Sequence, residues 1–213
     1  MDRLCHNSLV TGATLSKAKI IRHKHNDYKD AERQLKKTSY SGKLYVIMES
    51  VYSMDGDIGD LPAARNFSDK YGGFLIIDEA HGLGTIGKTG RGIEEHYDYK
   101  YKADLICGSL TKSIGSQGGY ICCTEGLRTQ FTFKANGSIF SAPISAFNTG
   151  AGIKALEIME REPERVQRLQ KTAEYMREQF RKHGFNIGDA CTCVVPVIFN
   201  DIYKTLHMHK WLL

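Results

Sequence analysis

Short apolar runs alternating with helical stretches are the feature that most constrains what this chain can fold into. Leu44-Tyr-Val-Ile-Met48, Phe74-Leu-Ile-Ile-Asp78 and Ala103 to Cys107 are all of strand length and lack polar alternation. That is the pattern of strands covered on both faces. Between the first two, Leu61 to Tyr71 carries apolar residues at helical spacing, and Gly72-Gly73 stops it. Further strands are expected at Gly119 to Cys123 and at Val194 to Phe199. Helices are expected from Ser145 to Met159, from Glu164 to Phe180 with Pro163 at its start, and from Tyr203 to Leu213. This order predicts an α/β fold with a mostly parallel sheet and helices on both faces. A domain division is expected near residue 160, separating 1–160 from 161–213.

Composition bounds the function classes. At 213 residues, 41% hydrophobic and 25% charged, the chain can bury one sizeable core. Its net charge of +5 is dispersed among acids, which predicts a solvated surface and no nucleic-acid partner. No apolar run is long enough to span a bilayer, and no basic-then-apolar leader opens the chain. Of the six cysteines, Cys107 and the Cys122/Cys123 pair lie in apolar runs and are expected to be buried free thiols. Cys191-Thr-Cys193 is too closely spaced for a zinc half-site and has no second half, so no metal is expected. A reducing, cytoplasmic setting follows as an expectation.

In an open α/β sheet, ligands bind beyond the carboxyl ends of the strands. Three segments fall there: Glu49 to Asp57, Asp78-Glu-Ala-His81, and Gly108-Ser-Leu-Thr-Lys-Ser113. Gly82-Leu-Gly-Thr-Ile-Gly-Lys-Thr89 also spells a phosphate loop letter for letter. It follows the carboxylate strand instead of preceding it, and Gly90-Arg91-Gly92 is a poor helix start, so a nucleotide-hydrolysing reading is set aside. Lys112 lies between a buried strand and a glycine-rich turn, beside Ser109, Thr111 and Ser113. A lysine held in partly apolar surroundings can lose its proton and attack a carbonyl, and the hydroxyls around it suit a phosphate. A pyridinium ring needs a fixed anion at its nitrogen, and Asp78 could supply it. Alone, a strand-end Asp is more often a cap. His81 and Ser53 could donate to a phenolate oxygen. His6 could lie flat on the ring, although a lone histidine is more often a surface or satisfied core residue.

Together these motifs resemble the α-oxoamine synthase family of fold-type-I pyridoxal-phosphate enzymes. The resemblance runs from Asp2 to about Met159. It covers Asp2-x-x-x-His6-Asn-Ser8, His25-Asn-Asp27, Glu49-Ser-Val-Tyr-Ser-Met-Asp-Gly56, Asp78-Glu-Ala-His81-Gly-x-Gly84, Gly87-x-x-Gly-Arg-Gly92 and Gly108-x-x-x-Lys112-x-x-Gly115. It implies pyridoxal 5'-phosphate as cofactor, with Lys112 as Schiff-base lysine and Asp78 as partner of the ring nitrogen. His81 and Ser53 are implied at the ring oxygen, His6 stacked on the ring as a second catalytic residue, and Ser109, beside Thr111, at the phosphate. The implied reaction condenses an amino acid with an acyl-CoA. It leans to sphingoid-base synthesis of the serine palmitoyltransferase kind, ahead of 8-amino-7-oxononanoate synthase or glycine acetyltransferase chemistry. A pyridoxal-phosphate aminotransferase and an inactive partner subunit are the remaining alternatives.

The resemblance further implies a homodimer, or a heterodimer with a related subunit, and a small C-terminal α+β domain starting near residue 161. Two departures stand out. Ala142 occupies the place where family members carry a hydroxyl that reaches the neighbouring subunit's phosphate. Met1 and Leu213 correspond to points inside the family's length, so a fragment lacking part of the substrate site is expected.

Overall fold

The computed structural model describes residues 1–213. Its elements in chain order are α1 (Asn7–Leu15), α2 (Tyr28–Lys36), β1 (Tyr45–Glu49), α3 (Leu61–Lys70), β2 (Phe74–Asp78), α4 (Ile93–His96), β3 (Leu105–Ser109) and β4 (Gly119–Cys122). They continue with α5 (Glu125–Lys134), α6 (Asn136–Ile139), α7 (Ala146–Arg161), α8 (Glu164–Lys182) and α9 (Ile202–Leu212). The sheet has the order β1-β2-β3-β4. The first three strands are parallel and β4 returns antiparallel to β3.

The register places the chemistry. Tyr45 to Glu49 pair one-to-one with Phe74 to Asp78, so Glu49 and Asp78 stand side by side at the strand ends. Asp78 in turn pairs with Cys107. Val46 and Met48 of β1 and Leu75 and Ile77 of β2 are buried with Leu61 and Ala64 of α3. Each such fully buried large side chain contributes about 2 kcal/mol. Ile86 and Ile93 join that cluster, which anchors the loop after β2 to the sheet. Asp60 begins α3 by accepting from the Ala63 N–H at 2.9 Å, and Pro62 sits in the first turn.

The third strand starts two residues later than expected. The Ala103 N–H is held by Glu94 Oε1 at 2.8 Å, and pairing with β4 extends the ladder to Ser109. Val194 to Phe199 is not a strand. The segment ahead of it is anchored off the sheet: Cys191 and Thr192 donate their N–H groups to Gly56 O, both at 3.0 Å, and Ile198 donates to Asn186 O at 2.8 Å. Val194 donates to Thr192 Oγ1 at 3.2 Å, so the partnered N–H groups of Val194 and Ile198 both bond outside the sheet.

The cysteine expectation is also corrected. All six thiols are free, but only Cys5 is buried; Cys107 and Cys123 are half-buried and Cys122 is exposed. β4 is the edge strand, so its apolar run does not gain a covering layer on both faces. No helix is long and apolar enough to cross a membrane.

Candidate cofactor site at the strand ends

Asp78 ends β2 with its carboxylate in the sheet rim. Its Oδ1 accepts from the Ala80 N–H at 2.8 Å, which turns the chain sharply and leaves Oδ2 for a ligand. Its carbonyl accepts both the N–H and the hydroxyl of Ser50, at 2.9 and 3.1 Å. The strand end is therefore fixed from both sides. His81, three residues on, is half-buried. Burial, and then the charge of Lys112, push the imidazole below its ordinary value, while Asp78 opposes them and His6 adds to the lowering. Four of the sequence-derived residues thus share one field: Asp78, His81, Lys112 and His6.

His6 caps α1 through its ring, accepting from the Ser8 N–H at 3.3 Å with the Ser8 hydroxyl 2.8 Å away. Its own N–H donates to Glu49 Oε1. Lys112 lies in the turn between β3 and β4 and is exposed, not in the partly apolar setting expected. Ile114 takes the inward position of that turn, which leaves the lysine pointing to the open rim. The turn is rigid all the same. Gly115 donates to Lys112 O at 3.1 Å, Leu110 to Gly118 O at 3.0 Å, and the Ser113 hydroxyl to Leu83 O at 2.5 Å. Ser109 and Thr111 hold their hydroxyls 2.6 Å apart, with the Thr111 N–H on Ser109 Oγ at 3.2 Å.

Ser53 occupies the turn after β1, and no contact ties its hydroxyl to Asp78 or His81. Ala142 is exposed ahead of α7 and meets none of these groups.

The phosphate-loop lookalike forms turns and opens no helix. Thr89 donates its N–H and hydroxyl to Glu95, at 2.9 and 2.7 Å. The next helix starts only at Ile93 and is four residues long.

Several charged groups around the rim carry no role in the sequence reading. Glu49 is buried, and burial, with Asp78 adding to it, pushes its carboxyl up to about 7 against the pull of the His6 N–H and Lys112. Glu79 is buried with Oε2 unpartnered. Its Oε1 accepts from the Ile93 N–H at 2.7 Å, and burial lifts its carboxyl to about 7. Gly82 and Gly92 have to lack side chains here, because a Cβ at either would collide with that carboxylate. His25 stands between two acids, Nδ1 3.1 Å from Asp2 and Nε2 2.7 Å from Asp57. The signal in the sequence is a polar residue at the last position of an apolar strand for Glu49, and the spacing of single glycines for Glu79. His25 had no local signal, since its partners lie 23 and 32 residues away.

An apolar cleft of about 350 Å³, lined by Ile20, Ile21, Leu35, Leu44 and Phe67 among others, opens at the amino end of β1 and has no carboxylate in its wall. Ligands of such sheets bind at the opposite, carboxyl end. No group of three or more His, Cys, Asp or Glu side chains is placed to hold a metal ion.

The donor set fits pyridoxal phosphate. It offers a strand-end carboxylate with a free oxygen, a half-buried imidazole, paired hydroxyls and a lysine on a braced turn. The sequence pattern "Aminotransferase class I and II" matches residues 1–210. An 8-amino-7-oxononanoate synthase of Thermosipho melanesiensis is 38% identical over 209 residues, 98% of this chain and 54% of that protein. A serine palmitoyltransferase of Bacteroides thetaiotaomicron is 37% identical over 205 residues, 96% of this chain and 52% of its own length. Among solved structures, a serine palmitoyltransferase from S. paucimobilis with a bound PLP–myriocin aldimine superimposes with a TM-score of 0.89 at 25% identity, covering 97% of this chain and 54% of that one. The 8-amino-7-oxononanoate synthase of Francisella tularensis gives 0.82 at 25% identity, covering 99% and 61%. The chain spans about half the length of the curated relatives it matches. It belongs to the class I and II aminotransferase family, in the α-oxoamine synthase branch with the fold-type-I architecture.

Proposed function

We propose that this chain carries the cofactor-binding part of a pyridoxal-phosphate-dependent acyltransferase that joins an amino acid to an acyl-CoA thioester. The observation that carries the reading is geometric: Asp78 ends β2 with one carboxylate oxygen unused by the backbone, His81 lies three residues on, and Lys112 sits in the adjoining β3–β4 turn. Pyridoxal phosphate, when bound, supplies a ring that stabilises negative charge on the amino acid's α-carbon. Lys112 would hold the group through its Nζ and, once freed by the incoming amine, would be the base that moves the α-proton. Asp78 Oδ2 holds a proton on the ring nitrogen. His81, whose imidazole burial and Lys112 push below its ordinary value, would donate to the ring oxygen, with Ser53 as a second donor from the turn after β1. His6 covers the ring face, and Ser109 and Thr111 take the phosphate. The overall change would form a bond between the α-carbon and the thioester carbonyl and break the carbonyl–sulfur bond. Coenzyme A would leave as the thiol and, where the product is the simple ketone, the amino acid's carboxylate would leave as carbon dioxide.

Sphingoid-base synthesis is one reading of the acyl transfer. Oxononanoate synthesis stands level with it, because relatives of both names are equally similar. We place the division between a large and a small domain near residue 160, at the break between α7 and α8. A second copy, or a related subunit, would cover the exposed Phe133, Phe140 and Phe147. The test is to incubate the chain with pyridoxal phosphate and follow the visible absorbance band. Serine, glycine and alanine are then offered with short- and long-chain acyl-CoA, and the ketone product is weighed by mass spectrometry. A band that changes with one amino acid supports the reading. A folded chain that takes up no pyridoxal phosphate rejects it.

A further inference from the structure

Glu49 is the one buried carboxylate that meets the site from two directions. Its Oε1 accepts the N–H of His6, the residue from which α1 starts. Its strand position is in register with Asp78. The β1 end is itself immobilised, since the Glu49 N–H reaches the Tyr52 hydroxyl at 3.4 Å and Tyr52 is fully buried. A glutamate there has little freedom, and its charge is delivered to a fixed place. Resting on the pyridoxal-phosphate reading, we propose that Glu49 is a positioning residue of the cofactor site. It fixes the backbone of His6 over the ring and backs Asp78 with a second ionisable carboxylate.

Surface glutamates do neither of these things. The charged and titratable groups facing Glu49 come from each neighbouring element: Asp78 from β2, Lys112 from the β3–β4 turn, Asp2 and Cys5 from the segment before α1, and Cys107 from β3. Asp78 and Asp2 oppose its ionisation and Lys112 favours it. Burial and the nearby acids push its carboxyl up to about 7, so its negative charge, added to that of Asp78, appears as pH passes through neutrality. A negative charge beside a protonated lysine–cofactor bond raises the pH at which that bond loses its proton. Glu49 in its ionised form therefore helps to keep the ring system cationic, which is the state that withdraws electrons.

Two substitutions separate the roles. Glu49→Gln keeps an oxygen for the His6 N–H and removes the charge; Glu49→Ala removes both. The chain is loaded with pyridoxal phosphate, and the visible band is titrated from pH 5 to 10 with the dissociation constant measured at each end. The apo chain, with ¹³C-labelled glutamate, is titrated in parallel by carboxyl NMR, and unfolding midpoints confirm folding. In the apo chain, one glutamate signal titrating near neutrality is expected to vanish in Glu49→Gln. The midpoint of the visible band is expected to fall by about one pH unit in both variants. Cofactor affinity should hold within about twofold for Glu49→Gln and fall about tenfold for Glu49→Ala, a loss of one hydrogen bond. Folded variants that bind with unchanged affinity and an unchanged band profile overturn the inference. A wild-type chain that forms no visible band overturns the cofactor reading itself, and this inference with it.

Discussion

His25 Nε2 lies 2.7 Å from Asp57 Oδ2, and this contact ties the turn before α2 to the loop that carries Ser53. The other ring nitrogen is held by Asp2 at 3.1 Å, and Asp2 is fully buried. Leu4 and Asn26 also donate their N–H groups to Asp2, at 2.9 and 2.8 Å. A buried acid, an imidazolium and a second acid form one charged node, with the Tyr52 ring edge-on to His25 at 4.4 Å.

Removing the centre of that node leaves two acids without their countercharge. His25→Asn is expected to lower the unfolding free energy by about 3 kcal/mol in a denaturant titration. Wild-type stability should also depend on pH through His25. Burial disfavours its charge, but the bonds to Asp2 and Asp57 outweigh this and hold it up to about 10. A group raised in the folded state stabilises fully below its unfolded value, about 6.5, and the stabilisation is lost as pH climbs toward 10. Asp2, held below its ordinary range, adds the opposite limb, its stabilisation fading as pH falls below about 4. His25→Asn should flatten the alkaline limb.

Gly92→Ala should be costly. Gly92 has a φ of +87°, and a Cβ there would strike the Glu79 carboxylate. Strain at that backbone and the clash together are expected to remove about 3 kcal/mol, seen as a lower melting temperature. An Ala at the open Gly126 is the control, because nothing lies within 4 Å of its Cβ position.

Glu79 gives a second pH signature. Burial raises its carboxyl to about 7, so the folded chain prefers it protonated. The corresponding stabilisation is whole below about 4.5 and is lost as pH rises through 7, on the order of 3 kcal/mol. Glu79→Gln keeps the acceptor for the Ile93 N–H and carries no charge. Its stability should fall less steeply than wild type across that window, the remaining slope coming from Glu49 and His25, and be no lower than wild type at pH 8, as measured by chemical denaturation at a series of pH values.

Asp78→Asn keeps the oxygen that accepts the Ala80 N–H, so the fold should persist. Pyridoxal phosphate should still bind and give a visible band. Exchange of the amino acid α-proton into D₂O should slow at least about 100-fold, which corresponds to about 2.7 kcal/mol of lost charge stabilisation.

The first three strands were legible because they read as short apolar runs; β4 read as one too, although as the edge strand it is left largely exposed. α2 was not, since Tyr28-Lys-Asp-Ala-Glu-Arg-Gln-Leu-Lys36 is polar overall and depends on Asp27 capping Asp30 at 2.8 Å and on the burial of Leu35. Val194 to Phe199 looked like a strand because composition cannot reveal that no sheet partner awaits it. At the candidate site, the placement of Asp78, His81 and Lys112 at the carboxyl ends of the strands was readable from order along the chain. The exposure of Lys112 was not, because it follows from Ile114 taking the inward place in the same turn. Glu49, Glu79 and His25 depend on register and on contacts across the fold; local spacing hints at the first two and carries nothing for His25, whose partners lie 23 and 32 residues away.

Borohydride reduction of the pyridoxal-phosphate-loaded chain, followed by peptide mass mapping, tests the central assignment most directly. A lysine that carries the cofactor becomes permanently tagged at its own position. The expected result is a pyridoxyl tag on Lys112, absent in Lys112→Ala together with the visible band. A tag on Lys88 of the phosphate-loop lookalike, or a band that survives in Lys112→Ala, would contradict the account.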